Sequence, residues 1–243
     1  MVSDDLRGMW AIMLKDLRAY YFKPPNISWG ILFPFAFVLA FVIRDPGNLD
    51  SLVPGLLALT LLFGTTSMEA IVITFERRIG ALERLLLAPL RLPALLAGKL
   101  LGGMVFGLAT SAVVLVIALV VLGVGRIQWG LLIVGMVLSA AAFSALGTLV
   151  SVSVREVFEA QTLANMFRFP MMFLGGVFVP VASLPLGLRI VARVLPLTYA
   201  VEALRAATGE GGAAPAWLDL LVLAAFTAVL GGLAVWVLGR RVA

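Results

Sequence analysis

The chain has 243 residues, 62% of them hydrophobic and only 13% charged. An ordinary soluble domain carries about 25% charged residues, so most of this surface must face something other than water. Cysteine and histidine are both absent, which excludes disulfides, thiolate nucleophiles, Cys/His metal centres and imidazole acid–base chemistry. The net charge of +5 is spread along the connecting segments and forms no single patch. A positive-inside bias accounts for it without nucleic acid.

Residues 4–22 form an amphipathic helix by pattern. Leu6, Trp10, Met13, Leu14, Leu17, Tyr20 and Tyr21 fall on one side, and Asp4, Arg7, Lys15 and Arg18 on the other. Such a helix lies in the membrane interface with its rings at headgroup depth, or packs on protein. Pro24 and Pro25 end it and turn the chain into the bilayer. Nothing here matches a cleavable signal peptide, and the first span is expected to act as an uncleaved anchor.

Six apolar stretches follow, at 27–43, 52–75, 93–122, 129–152, 158–179 and 217–238. Each has the length that a transmembrane helix requires. The third is long enough to begin among the headgroups, with Lys99 snorkelling. The expected fold is an all-α integral membrane protein, a single transmembrane domain over 1–243. It comprises an interfacial helix in 1–25 and a six-span core in 27–238. No length remains for a soluble catalytic domain. Thirteen Lys and Arg residues lie on the side of the N-terminus, of the 76–99 segment, of Arg155 and Arg168, and of Arg240 and Arg241. Five lie opposite, at Arg44, Arg126, Arg189, Arg193 and Arg205. Both termini are therefore expected in the cytoplasm, in a multi-pass inner-membrane protein.

Two connecting segments are more than connectors. Residues 76–91 are helical by pattern, with Glu76 and Glu83 on one stripe, Arg77 and Arg84 on the next, and Ile79, Leu82 and Leu86 facing away. The outer segment 183–205 is too apolar for a free loop. Ser183 can cap a helix started by Pro185, and Pro196 interrupts it before a second short helix through Glu202 and Arg205. The expected result is a re-entrant or interfacial helix pair, followed by a flexible linker at 209–215.

Motifs for chemistry on this chain are missing. Gly98-Lys99 lacks the upstream glycine and following Ser/Thr of a P-loop, and there is no HExxH or G-x-S-x-G. If ATP is used, another chain must bind it; no metal or cofactor site is expected here. Gly98/Gly102 and Gly103/Gly107 allow close helix approach, although 24 glycines also produce such pairs by chance. Glu69, near the end of the second span, either couples to protons or meets water or a basic partner. Arg168, inside the fifth, must pair, snorkel or line a wet cavity, with Asn165 on the same helix. Phe33, Phe37, Met68, Met171, Met172 and Phe173 serve either a transport path or helix packing.

Two blocks resemble the type 2 permeases of ABC exporters, which move polysaccharides, nodulation factors and drugs. One is 75–89, reading FERRIGALERLLLAP; the other combines Arg168-Phe169-Pro170, 173–180 (FLGGVFVP), Leu184-Pro185 and 196–205 (PLTYAVEALR). The resemblance spans essentially the whole chain. It implies a half-transporter that pairs with a second permease copy, a homodimer, and with cytoplasmic ABC ATPase subunits holding ATP and Mg. Glu76, Arg77, Arg78, Gly80, Leu82, Glu83 and Arg84 would then form a coupling helix, and Arg155, Glu156 and Glu159 a smaller second ATPase contact. Pro180, Leu184, Pro185, Pro196, Tyr199, Glu202 and Arg205 would belong to an outer gate. The expected function is ATP-driven export of an amphipathic or hydrophobic drug, lipid or glycan-linked lipid. The rival reading is an ATPase-independent secondary transporter or channel, which would need intramembrane carboxylates or an inverted repeat.

Overall fold

The computed structural model describes residues 2–23, 26, 36, 39, 52–122, 127–209 and 215–242. Among them every regular element is helical. The predicted first span at 27–43, with Phe33 and Phe37, lies outside the described residues, as do Pro24, Pro25 and most of the 209–215 linker.

The N-terminal helix α1 (Val2–Asp16) runs into a π-helical turn, Leu17–Tyr21. Its covered side is Ile12, Met13, Asp16, Leu17 and Tyr21, while Leu6 and Trp10 are exposed. The expected stripe is therefore split: its second half packs on protein, and only its first half is left for the membrane interface. α1 lies along α4 (Leu92–Leu122), where Gly98 brings the two backbones together. A Cβ on Gly98 would sit 2.9 Å from the Met9 carbonyl oxygen.

α2 (Val53–Arg78) begins with Pro54 in its first turn, where the missing N–H costs nothing. Its 26 residues make a rod about 39 Å long, beyond the roughly 30 Å hydrocarbon core. The surplus turn carries Glu76, Arg77 and Arg78. α2 is the hub of the bundle and packs on α4, α5 (Trp129–Ser153), α6 (Val157–Leu174) and α8 (Pro196–Ala207). Its buried hydroxyls are satisfied on their own helix: Thr60 donates to the Leu56 carbonyl at 2.8 Å, and Thr65 to that of Leu61 at 2.8 Å. Hydrocarbon offers no other partner.

Among the described residues, four helices are long and apolar enough to span a membrane: α2, α4 over Leu92–Val120, α5, and α9 (Ala216–Val242) over Ala216–Arg241. They match the predicted second, third, fourth and sixth spans. The predicted fifth appears as α6, whose 18 residues include Glu159, Arg168 and Pro170. These make it shorter and more polar than a free-standing span. Beyond it come a 3-10 turn, Val181–Ser183, and two short helices, α7 (Leu186–Arg193) and α8. Ser183 does not cap α7: its hydroxyl donates to the Pro180 carbonyl at 2.7 Å, and Pro185 occupies the N-cap. α8 drives Leu197, Ala200, Val201, Leu204 and Ala207 into the main core with Leu57, Leu61 and Phe143.

The predicted continuous helix through 76–91 is broken. α2 runs through Arg78, Gly80 turns the chain with φ 69°, and a separate α3 (Ala81–Leu86) follows. A left-handed φ is strained for any residue with a Cβ, which is why glycine stands there. The break rotates α3 away from the register of α2, so Glu76 and Glu83 do not share a stripe.

Small residues set the helix spacing. α5 buries Ser139, Ala140, Ala141, Ala142, Ser144, Ala145, Gly147 and Thr148. Without a hydrophobic drive between helices in lipid, such close approach is what holds them together. A Cβ on Gly147 would lie 2.8 Å from the Glu69 Cβ and 2.9 Å from the Thr66 Cα. Gly147→Val is expected to cost about 1–3 kcal/mol by overpacking and to lower the melting temperature in detergent. Gly232→Ala, with open space around it, should leave that temperature unchanged or raise it. Equal losses for both would overturn this account of the packing.

Candidate functional site

At the end of the bundle that carries α3, four charges from three helices are gathered in the interior. Lys99 of α4, Glu76 of α2 and Asp16 of α1 are each fully buried, and Lys15 of α1 is partly so. Lys99 pairs with Asp16 at 2.8 Å and with Glu76; Lys15 pairs with Asp16 at 2.9 Å and with Glu76. Two carboxylates against two ammonium groups leave the cluster neutral, the condition under which charges tolerate burial. Burial pushes the Asp16 carboxyl above its ordinary value even beside the Lys99 ammonium. For Lys15 burial works against the charge, but the Glu76 hydrogen bond and the Asp16 charge outweigh it and hold the ammonium above the usual lysine value.

Two sequence expectations are corrected here. Lys99 does not snorkel to the headgroups; α1 lies across its exit and supplies Asp16 as partner. Glu76 is not on the face of a cytoplasmic helix, because α2 extends past it and turns its carboxylate inward.

Two turns deeper, Glu69 is also fully buried, and among the described residues no ion pair reaches it. Its Oε1 accepts from the Tyr21 hydroxyl at 3.1 Å, the Gly103 N–H at 3.0 Å and the Ser144 hydroxyl at 3.2 Å. Burial, then the neighbouring Glu69 charge, push the Tyr21 phenol well above its ordinary value, so it remains a donor. The π-helical turn rotates Tyr21 into this position while Tyr20 stays nearer the surface.

The surface around these buried charges is made by α3. Leu82 is buried beneath it, whereas Arg78, Ile79, Glu83, Arg84 and Leu87 are exposed. Arg77 is half-buried and donates to the Val154 carbonyl at 2.7 Å. Next to α3 lies the start of α6. There Glu156 and Glu159 form a reciprocal capping box, with the Glu159 Oε2 accepting from the Arg155 and Glu156 N–H groups at 3.2 and 3.3 Å. Both acidic residues thus have a structural task, and Arg155 keeps an exposed side chain.

Those of the predicted path residues that are described do not converge. Met171 and Met172 belong to the main core, Met68 packs with Tyr21, Val72 and Phe106 beneath α1, and Phe173 is exposed. Arg168 does not snorkel, and among the described residues it forms no ion pair. It is 1% exposed, its Nη1 donates to Asn165 Oδ1 at 3.0 Å, and its guanidinium stacks 5.4 Å from the Phe63 ring. Its Nε and Nη2 have no hydrogen-bond partner.

At the opposite end, the Tyr199 hydroxyl donates to the Arg193 carbonyl at 2.7 Å and the Thr198 hydroxyl to that of Ala192 at 2.6 Å, tying α8 back to α7. Pro196 is buried at the start of α8, Leu184, Glu202 and Arg205 are half-buried, and Pro180 and Pro185 are exposed. Asp16, Tyr21 and Ser144 were missed as site residues by sequence reasoning. An acid flanked by Lys15 within an otherwise apolar helix stripe was the one available sign.

The ABC-2 type transporter family matches residues 7–208 of the chain. Similar curated proteins are the "Inner membrane transport permease YadH" of Escherichia coli strain K12 and of Escherichia coli O157:H7, and that of Shigella flexneri. Each is 26% identical over 210 residues, covering 82% of this chain and 81% of the relative. The chain belongs to the ABC-2 type transporter family, and is a multi-pass transport permease.

Lys99→Met removes the fully buried one of the two cations shared by Asp16 and Glu76. The expected loss is about 3–5 kcal/mol, the usual cost of stranding a buried charge, read as a lower melting temperature in detergent. Adding Glu76→Gln should recover part of it. If Lys99→Met alone melts like the parent, the cluster is not holding α1 to the bundle.

Proposed function

We propose that this ABC-2 permease is the membrane-embedded half of an ATP-driven exporter in the inner membrane. Two copies work beside two ATPase subunits that hold ATP and Mg on separate chains. Both termini and α3 face the cytoplasm, consistent with the distribution of Lys and Arg. The relatives' name, an inner membrane transport permease, supports the location. A two-fold pair of identical permeases is the commonest closed arrangement.

The observation that carries the reading is α3 together with what lies behind it. α3 is a short rod with an exposed charged face, Glu83 and Arg84, joined through the Gly80 turn to the hub helix α2. Its buried Leu82 packs with Ile12 of α1, Leu95 and Leu96 of α4, and Leu238 of α9. A push on α3 therefore reaches three spans and the N-terminal helix at once. Electrostatic complementarity at Glu83 and Arg84 would give register against a partner groove. Glu76 contributes from the inside, by fixing α2 to α1 and α4. ATPase closure would drive α3, rock the bundle, and open the α7–α8 end for release of an amphipathic or apolar cargo.

Glu83→Arg or Arg84→Glu is expected to lower export and cargo-stimulated ATP hydrolysis by at least about tenfold, because like-charge contacts across an interface cost several kcal/mol. Membrane insertion should be normal, since both side chains are exposed. Full transport in these variants, or transport in liposomes without any ATPase, would sink the proposal in favour of a self-contained transporter.

Arg168 supplies a separate check on the path. Replacing it with Met removes a buried charge that has two unpartnered nitrogens, so the melting temperature should hold or rise. Transport lost at unchanged stability would assign Arg168 to cargo passage. Transport retained would leave it a packing residue against Phe63.

A further inference from the structure

Behind α3 lies a cleft of about 630 Å³ whose arginines the exporter reading leaves without a role, although it shares Leu82 and Glu83 with that reading. Three arginines from three elements line it: Arg77 at the end of α2, Arg155 in the turn before α6, and Arg241 at the end of α9. Leu82, Leu86 and Leu238 form an apolar floor, and Glu83 is the one acid on its wall. Three cations against one carboxylate leave the cleft with an excess of two positive charges.

The arginines are held in place by backbone groups, not by acids. Arg77 Nη1 donates to the Val154 carbonyl at 2.7 Å, and Arg241 Nη1 to the same oxygen at 3.3 Å; Arg241 Nη2 donates to the Ser153 carbonyl at 2.5 Å. Two like charges are thereby drawn to a single acceptor. They repel each other there unless an anion sits between them. Neither Arg77 nor Arg241 has a carboxylate within ion-pair distance among the described residues.

The depth of the cleft is marked by α9. Either side of Leu238, at two residues' distance, the Arg240 guanidinium stacks 4.1 Å from the exposed Trp236 ring. An exposed tryptophan beside an arginine at the end of an apolar helix is the pattern of a headgroup boundary. α9 is also the least covered of the four apolar helices, which leaves its outer face open beside the cleft.

We propose that this cleft is a binding site for an anionic phospholipid of the leaflet that faces α3. Its phosphate lies among Arg77, Arg155 and Arg241, and its upper acyl chain passes over the half-buried Leu86. Basic clefts between helices at a membrane surface select anionic headgroups in this way. Leu82 and Leu238 are closed off by packing, so the half-buried Leu86 is the leucine that a lipid would cover and a free anion would not. Calling this leaflet cytoplasmic rests on the orientation proposed above; the site itself does not.

The test is native mass spectrometry of the full permease, released from nanodiscs of phosphatidylcholine with or without phosphatidylglycerol. The parent should retain phosphatidylglycerol in preference to phosphatidylcholine. Arg155→Gln combined with Arg241→Gln should weaken that retention about thirtyfold, the equivalent of about 1 kcal/mol for each arginine. Arg155→Glu alone, at an exposed side chain whose change leaves the backbone contacts intact, should weaken it as well. Arg7→Gln, an exposed arginine on α1 away from the cleft, should not. Equal retention by parent and cleft variants overturns the proposal. Displacement of the lipid by inorganic phosphate would make this a free-anion site and also overturn it. So would variants that keep the lipid but lose a co-purifying ATPase, since the arginines would then serve that protein. Lipid retention is read on the permease itself, so failure of the exporter reading would leave this result standing or falling independently.

Discussion

Charge in a low-dielectric interior is the constraint on which this molecule is organised. Moving an ion out of water costs several kcal/mol, and only close partners offset it. The protein buries Asp16, Glu76 and Lys99 completely, and that is possible only because α1, α2 and α4 meet at one point with Lys15 closing the balance. Much of the architecture follows from that meeting. α1 must lie across α4 to bring Asp16, Gly98 must be small to let it approach, and α2 must outrun the hydrocarbon to carry Glu76 to the same depth. Remove one ion and the others become liabilities.

The second organising feature is proximity. Gly98 draws α1 to backbone contact with α4, and Gly147 does the same for α5 and α2. Gly103 admits the side chains of Glu69 and Ser144 beside the Ser/Ala run of α5. Close packing of this kind resists compression, so displacement of one helix is passed to the next without being absorbed in side-chain rearrangement. Glu69 sits where three of these helices converge and accepts hydrogen bonds from α4, α5 and the turn after α1. It acts as a polar pin in an otherwise apolar joint. α3 stands directly below this stiff region, across a single glycine turn.

Much of this was legible in the sequence, and the rest was hidden for identifiable reasons. Hydropathy located α2, α4, α5 and α9 to within a few residues, because each is a long apolar run and lipid allows such a run few conformations. The blocks at 75–89 and 168–205 pointed to the family that the match over 7–208 shows. The charged residues misled, since periodicity assigns a side chain to a face of its own helix but says nothing of what packs there. Glu76 looked like a surface charge because the helix break at Gly80, and not at Phe75, could not be read from the pattern. Lys99 looked free because its partner Asp16 lies 83 positions away. Ser183 looked like a cap, but Pro185 took that position. The Ser/Ala run of α5 carried no reading in the sequence, because its packing role shows only against Glu69 and Thr66.

The long sequence separation of the ion cluster also bears on biosynthesis. Asp16 and Lys15 emerge first, Glu76 follows, and Lys99 comes last, 23 positions after Glu76. Until Lys99 has left the ribosome, one cation faces two acids. The half-made set cannot be dehydrated cheaply and must wait where water still reaches it. The arrival of α4 then does more than add a span. It completes the neutral set and releases the N-terminal helix from the aqueous boundary into its final seat. A nascent chain stalled before residue 99 would have its early helices in the bilayer and their fastening still undone.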